Sequence, residues 1–305
     1  MERFTRGGLV FDVTDEGPRD GAPVVLLHGF PQDRTCWRRV TPLLHDAGLR
    51  TLAHDQRGYS PSARPHDVSA YRMRELSADV LALLDAAGLE GAHVVGHDWG
   101  GAVAWALGLG APKRVRSLTV LSTPHPDAMT WAAQHADQAR ASWYMGAFQL
   151  PVAPEWLLQH SFAELFGRAG LRGEQLEHYA ARFREPGAAR GALGWYRASL
   201  GGMGGLGRMI LGRAASLVPR GETPERASGG AEVAEARRQV QVPTTYVWGS
   251  RDPALVRAGA ERTGRYVAAD YRFVELDANH WLPEARPDEV AAEVVARVRS
   301  TQEEQ

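Results

Sequence analysis

The pentapeptide Gly96-His97-Asp98-Trp99-Gly100 sets a carboxylate between two glycines. A β-rich run, His93–Val95, leads into it, and a helical stretch, Gly101–Leu109, follows. Glycines at both ends allow a strained turn where neighbouring backbone passes too close for a Cβ atom. The N–H groups of the following helix point back at the turn, where they steady an anion. A carboxylate is already ionised at neutral pH, so it needs no base to make it a nucleophile. It displaces a leaving group from a saturated carbon and becomes an alkyl ester, whereas a serine there would attack acyl carbons. The plainer reading is that Asp98 caps the next helix, a role Asp fills well. Strand before, helix after and glycine on both sides favour the nucleophile.

An alkyl ester has to be hydrolysed, and that requires a base for water. His280 in Asp277-Ala-Asn-His-Trp281 follows the last predicted strand and is the expected base. Asp252 in Trp248-Gly-Ser-Arg-Asp-Pro253 follows the strand before it and is expected to orient and charge-balance His280. Taken singly, these are a loop histidine and an Asp-Pro turn. In the order nucleophile, acid, histidine, each at the end of a strand, they resemble the series found in α/β-hydrolases. Two neighbouring groups are expected to be structural. Asp55 and Arg57 should pair to shape a loop, and His97 should point away from Asp98 and pack.

Strands must carry these loops. The predicted ones are Leu9–Val13, Pro23–Leu27, Arg50–Ala53, His93–Val95, Ser117–Leu121, Thr244–Trp248 and Tyr271–Glu275. Between them lie amphipathic stretches such as Met73–Ala87, with Leu76, Val80, Leu83 and Leu84 at helical spacing, and Pro287–Ser300. Alternating strands and helices imply an α/β fold with a mostly parallel sheet covered on both faces. The alternation stops near Thr123 and resumes near Val242. The expected organisation is therefore a core of residues 1–123 and 242–305, with a mainly helical cap over 124–241. That cap, rich in tryptophan, should sit over the C-terminal sheet edge, where open α/β sheets bind ligands. Gly201–Gln239 has little periodicity and reads as a mobile loop with short helices.

Composition removes other classes. Acidic and basic residues number 36 and 35, so neither nucleic acid nor an anionic membrane is an expected partner. The single cysteine, Cys36, cannot form an internal disulfide and fits a reducing compartment. No apolar run approaches the roughly 18–20 residues of a membrane helix, and Met1–Asp12 lacks a signal-peptide core. A cytoplasmic protein is expected, and a homodimer is left open.

Together these stretches resemble the α/β-hydrolase-fold epoxide hydrolases over nearly the whole chain. The landmarks are His28-Gly29-Phe30-Pro31, Gly96-His97-Asp98-Trp99-Gly100-Gly101, the Asp252 and His280 loops, and two cap segments. The resemblance implies that the Phe30 and Trp99 N–H groups form the oxyanion hole. It also implies that two cap tyrosines hydrogen-bond the epoxide oxygen. Tyr144 stands ahead of Phe148-Gln149-Leu150-Pro151, and Tyr196 lies in Trp195-Tyr196-Arg197. The chemistry suits a phenol, since an epoxide leaves as an alkoxide and needs a proton as charge develops. The expected reaction converts a small apolar epoxide to a vicinal diol through an ester on Asp98, with no metal or organic cofactor. Gly201–Gln239 is longer than the family pattern suggests, which bears on pocket shape.

Two other readings share these residues. Haloalkane dehalogenases use the same Asp, and Trp99 could give its indole N–H to a halide, but Phe30 stands where their second donor is often Asn. Fluoroacetate-type dehalogenases tend to carry Arg where this chain has Trp99. A hydrolase-fold protein that only binds ligand would be expected to lack a member of the triad, and this chain keeps Asp98, Asp252 and His280.

Overall fold

The computed structural model describes residues 1–199 and 239–303. Within them lies an eight-stranded sheet ordered β1-β2-β4-β3-β5-β6-β7-β8. The strands are β1 (Arg3–Arg6), β2 (Leu9–Glu16), β3 (Ala22–Leu27), β4 (Leu49–His54), β5 (Ala92–His97), β6 (Val115–Leu121), β7 (Thr244–Gly249) and β8 (Tyr271–Leu276). The pairings β1/β2 and β2/β4 are antiparallel, and all the others are parallel. The central strands β5 and β7 are buried at every position, as expected where helices cover both faces. β8, at the sheet edge, has no fully buried residue.

The seven predicted strands are all present, each of them longer by one to three residues. β1 was missed because Arg3–Arg6 has a single apolar side chain. That residue, Phe4, stacks on Phe11 with ring centroids 4.7 Å apart. Gly7 and Gly8, at φ of 57° and 79°, turn β1 into β2. Two adjacent glycines at positive φ are the signature of a two-residue hairpin, so the signal was in the sequence.

The two predicted flanking helices run Met73–Ala86 and Pro287–Glu303. The first buries Leu76, Val80, Leu83 and Leu84, one stripe at helical spacing. Truncating fully buried Leu83 to Ala would cost about 2–5 kcal/mol.

Between β6 and β7 the chain forms a succession of helices from Pro126 to Ser199. They are fastened to loops at the C-terminal ends of the strands. Trp195 Nε1 donates to the Arg57 carbonyl at 2.7 Å, and His178 Nε2 lies 2.7 Å from Asp33 Oδ2. Gly191 and Gly58 meet backbone to backbone: a Cβ on Gly191 would lie 2.4 Å from the Gly58 oxygen. Apart from Gln239, the stretch read as a loop with short helices lies outside the described residues.

Candidate active site

Four loops at the C-terminal ends of β3, β5, β7 and β8 bring Phe30, Asp98, Asp252 and His280 together. β5 lies between β3 and β6, and β7 and β8 follow on the same side. Asp98 is held at φ 52°, ψ −120°, a conformation that non-glycine residues rarely adopt. The glycines around it are required by contact distance. A Cβ on Gly96 would lie 2.3 Å from the Gly100 oxygen, and one on Gly100 would lie 2.2 Å from the Leu27 oxygen. One on Gly29 would strike Asp98 itself, 2.4 Å from its Cβ.

Although Asp98 sits at the N-cap of the helix Trp99–Gly110, its side chain makes no capping bond. Its Oδ1 instead accepts the Phe30 N–H at 2.8 Å, and its Oδ2 lies 3.6 Å from His280 Nε2. On the other side of the ring, His280 Nδ1 lies 2.7 Å from Asp252 Oδ2. Asp252 Oδ1 accepts the N–H groups of Ala254 and Leu255 at 2.8 and 3.1 Å. The turn and the histidine contact therefore use different oxygens of the same carboxylate.

The electrostatics follow from this sandwich. Burial alone would push His280 down, but the charges and hydrogen bonds of Asp252 and Asp98 outweigh it and raise it to about 10. Burial would raise Asp98, yet the hydrogen bond and charge of His280, with the Phe30 N–H, hold it below the ordinary carboxylate value. The resting pair at neutral pH is thus carboxylate and imidazolium.

Above these groups is a cavity of about 910 Å³. Asp98 and His280 lie at its floor, with Phe30 and Trp281; Tyr144, Phe148, Leu158, Phe166 and Tyr196 line the helical side. Tyr144 and Tyr196 approach with ring centroids 6.1 Å apart. Tyr196 also sets its ring edge-on to Phe30 at 5.2 Å and to Trp99 at 5.0 Å. Burial, with the charge of Asp98 nearby, pushes both phenols above their usual range. Every residue singled out from the sequence for this site therefore lies in or beside one cavity. Trp99 opens its helix, where the first N–H groups have no intrahelical acceptor. Among the described residues, no group of three or more His, Cys, Asp or Glu side chains is placed to hold a metal ion.

Two expectations need correction. Asp55 and Arg57 do not pair with each other. Asp55 accepts the Arg34 N–H at 3.0 Å and meets the guanidiniums of Arg34 and Arg182, while Arg57 makes a two-pronged contact at 2.7 Å with Asp79. The sequence spacing was misleading because the loop turns Arg57 toward the helix Met73–Ala86. His97 does face away from the Asp98 carboxylate, but it does more than pack: its Nε2 is 2.8 Å from the His280 carbonyl oxygen. Ser122 Oγ donates to the same oxygen at 3.0 Å. Ser122 went unnoticed, although a serine directly after β6 is the type of residue that could have drawn attention. Gln32, directly after the His28–Pro31 loop, accepts at 2.7 Å from the other nitrogen of His97 in the assigned orientation and was also missed.

The chain matches the alpha/beta hydrolase fold family over residues 22–287. It is 32% identical to the AB hydrolase superfamily protein YfhM of Bacillus subtilis over 92% of this chain and 91% of that one. It is 31% identical to epoxide hydrolase A of Mycobacterium tuberculosis, over 91% and 90% of the two chains. The crystal structure of epoxide hydrolase A from Mycobacterium thermoresistibile superposes with a TM-score of 0.74 at 28% identity, covering 97% of each chain. The chain belongs to the α/β-hydrolase fold family and, within it, to the epoxide hydrolases. Among the described residues no helix is long and apolar enough to cross a membrane.

Proposed function

We propose that this protein opens apolar epoxides to vicinal diols through a covalent ester on Asp98. The observation that carries the reading is that two phenols, Tyr144 and Tyr196, line the same cavity as Asp98 and His280. A carboxylate on one side and two proton donors on the other match the two ends of an epoxide C–O bond as it breaks. The helices between Pro126 and Ser199 act as a cap that brings those donors, and the sheet with its loops brings the nucleophile.

In the first step an oxygen of Asp98 bonds to a ring carbon, the C–O bond breaks, and the ring oxygen becomes a hydroxyl. Tyr144 and Tyr196 hydrogen-bond that oxygen as charge develops. Alkylation removes the Asp98 charge and with it one of the two carboxylates that keep His280 protonated. His280 therefore gives up its proton in the step that needs one, and the proton count closes. Neutral His280, aligned by Asp252, then takes a proton from water as the water attacks the ester carbonyl. The Phe30 and Trp99 N–H groups hold the oxyanion. Collapse releases the diol and restores carboxylate and imidazolium. The walls of aromatic and aliphatic side chains suit an epoxide with a bulky apolar substituent.

The test is the intact mass of a His280→Gln variant after exposure to separate panels of epoxides and alkyl halides. A gain equal to a whole epoxide supports ring opening by Asp98. A gain equal to an alkyl group without its halide makes the protein a dehalogenase and reduces the tyrosines to packing.

A further inference from the structure

Behind His280, on the side away from the cavity, runs a buried chain of hydrogen-bonding groups that the mechanism above does not use. His97 Nε2 is 2.8 Å from the His280 carbonyl oxygen, and a carbonyl can only accept, so Nε2 carries a hydrogen. His97 Nδ1 is 2.7 Å from one atom of the Gln32 amide. The other amide atom is 2.7 Å from Glu284 Oε1, which Tyr179 Oη also approaches at 3.1 Å.

The protons in this chain can be counted. If the Gln32 oxygen faces His97, Nδ1 must donate too, so His97 is an imidazolium and Glu284 a carboxylate accepting from the amide. If the amide is turned over, its NH₂ donates to Nδ1, and its oxygen faces Glu284 Oε1. Two oxygens 2.7 Å apart then need a hydrogen between them, and Glu284 must be a carboxylic acid. The two amide orientations differ only in assigning nitrogen and oxygen. Either way, the three side chains hold one proton more than a neutral histidine and an ionised glutamate would. The question is where it resides.

Three observations favour Glu284. His97 is wholly buried, and its ring centroid is 4.9 Å from that of His280, which sits between two carboxylates as an imidazolium; a second imidazolium there would be repelled. Glu284 Oε2 is buried with no hydrogen-bond partner, a heavy cost for an ionised oxygen and a much lighter one for the carbonyl of an acid. Burial and the neighbouring positive charge of His280 lower His97 to about 4, and burial raises Glu284 to about 7. The turned-over amide gives up only a long 3.4 Å contact from the Gly29 N–H.

We propose that Gln32, His97 and Glu284 share one proton that resides on Glu284, so that a buried carboxylic acid keeps His97 a neutral Nε2–H donor to the His280 carbonyl. Glu284 is then a positioning residue. It acts through Gln32 and His97 to fix the peptide of His280, and it leaves His280 as the imidazole beside Asp98 that carries charge. The groups facing Glu284 are Gln32, Tyr179, the Cys36 thiol and the His280 charge. Arg39 donates to the Glu284 backbone oxygen at 3.0 Å.

The first test needs no substrate, so its failure is distinct from failure of the proposed reaction. At pH 6 the intact protein, labelled with ¹⁵N in its histidines, should show His97 as the neutral Nε2–H tautomer by NMR. Its infrared spectrum should contain a buried carboxylic acid C=O band that is absent from Glu284→Gln. An imidazolium signal for His97, or an acid band that survives in Glu284→Gln, overturns the proposal. The glutamine amide can donate to Gln32 as the acid does. The variant should therefore keep the rate of ester hydrolysis at pH 6 within about twofold of the wild type. Between pH 6 and 8 its rate should stay level, whereas the wild-type rate falls as Glu284 ionises; a large loss at pH 6 in the folded variant also overturns the proposal.

Discussion

Across the cavity, two sets of groups are held by different means. On the strand side, the carboxylate of Asp98 is fixed by the Phe30 N–H at 2.8 Å and by a turn whose glycines cannot carry a Cβ. Asp252 and His280 are joined at 2.7 Å, and the His280 carbonyl has two donors, His97 and Ser122. On the helical side, Tyr144 and Tyr196 are located by the edges of Phe148, Phe30 and Trp99 rings. Directional bonds fix the groups that carry charge, and shape fixes the groups that donate a proton. Charge in a buried site is tolerated only with partners in place, whereas the large apolar ring of a phenol packs well into an apolar wall.

The strand side should therefore fail all at once and the helical side by degrees. Asp98→Ala removes the atom that forms the ester, and turnover should fall by a factor on the order of 10⁴ or more, read as product formation over hours. Residual activity near the wild-type level would end the whole assignment. Tyr196→Phe and Tyr144→Phe should each lower the single-turnover alkylation rate by a factor on the order of 10–10³, because the remaining phenol still serves the oxygen. The double variant should lose more than either. A single Phe variant as dead as Asp98→Ala would show that the two phenols act as one unit, and the contrast between the two sides would go.

The pH profile sharpens the same contrast. Asp98 is held below the ordinary carboxylate value and His280 is raised to about 10, so the form ready for alkylation exists across the neutral range. The alkylation rate should be level through neutral pH and decline as pH rises toward 10, because the imidazolium is then lost. A rate that climbs with pH through neutrality would mean that His280 must be neutral for the first step, and that the tyrosines supply the proton unaided.

The charged side was also the more legible one in the sequence. Asp98, Asp252 and His280 could be found because each follows a strand, in one fixed order, in loops marked by glycine or proline. The tyrosines needed the family resemblance, since nothing about Tyr144 in Ser142-Trp143-Tyr144-Met145 distinguishes a proton donor from packing. Least legible were the supports. His97 lies beside the nucleophile and was read as filler, Ser122 had only its place directly after β6 to mark it, and Gln32 and Glu284 gave no local signal. Their importance depends on which distant backbone atom they reach: the His280 carbonyl is contacted from β5 and from the residue after β6. Local periodicity does not encode such long-range meetings. The same limit hid the separate partners of Asp55 and Arg57.

The smallest expected effect concerns two strained residues, one on each side. Val152 lies at φ 66°, ψ −52°, in a tight turn closed by the Ala153 N–H on the Pro151 oxygen at 2.7 Å. Ser122, at φ 68°, is in a turn closed in the same way by the Thr123 N–H on the Leu121 oxygen at 2.8 Å. Such turns are strained for non-glycine residues, by roughly 1–3 kcal/mol. Glycine should relieve that strain at both sites, less about 1 kcal/mol for its greater freedom in the unfolded chain. Val152 is 75% exposed, so Val152→Gly gives up little packing and should raise Tm by about 1–2 °C in calorimetry. Ser122→Gly relieves the same backbone but loses the hydroxyl that holds the His280 carbonyl, worth about 0.5–1.5 kcal/mol, so its Tm should stay level or fall and ester hydrolysis should slow. Opposite outcomes from one substitution in two like turns would locate the directional restraint on the strand side. If both variants gained stability alike, the Ser122 hydroxyl would be dispensable, and the hold on the His280 peptide would rest on His97 alone.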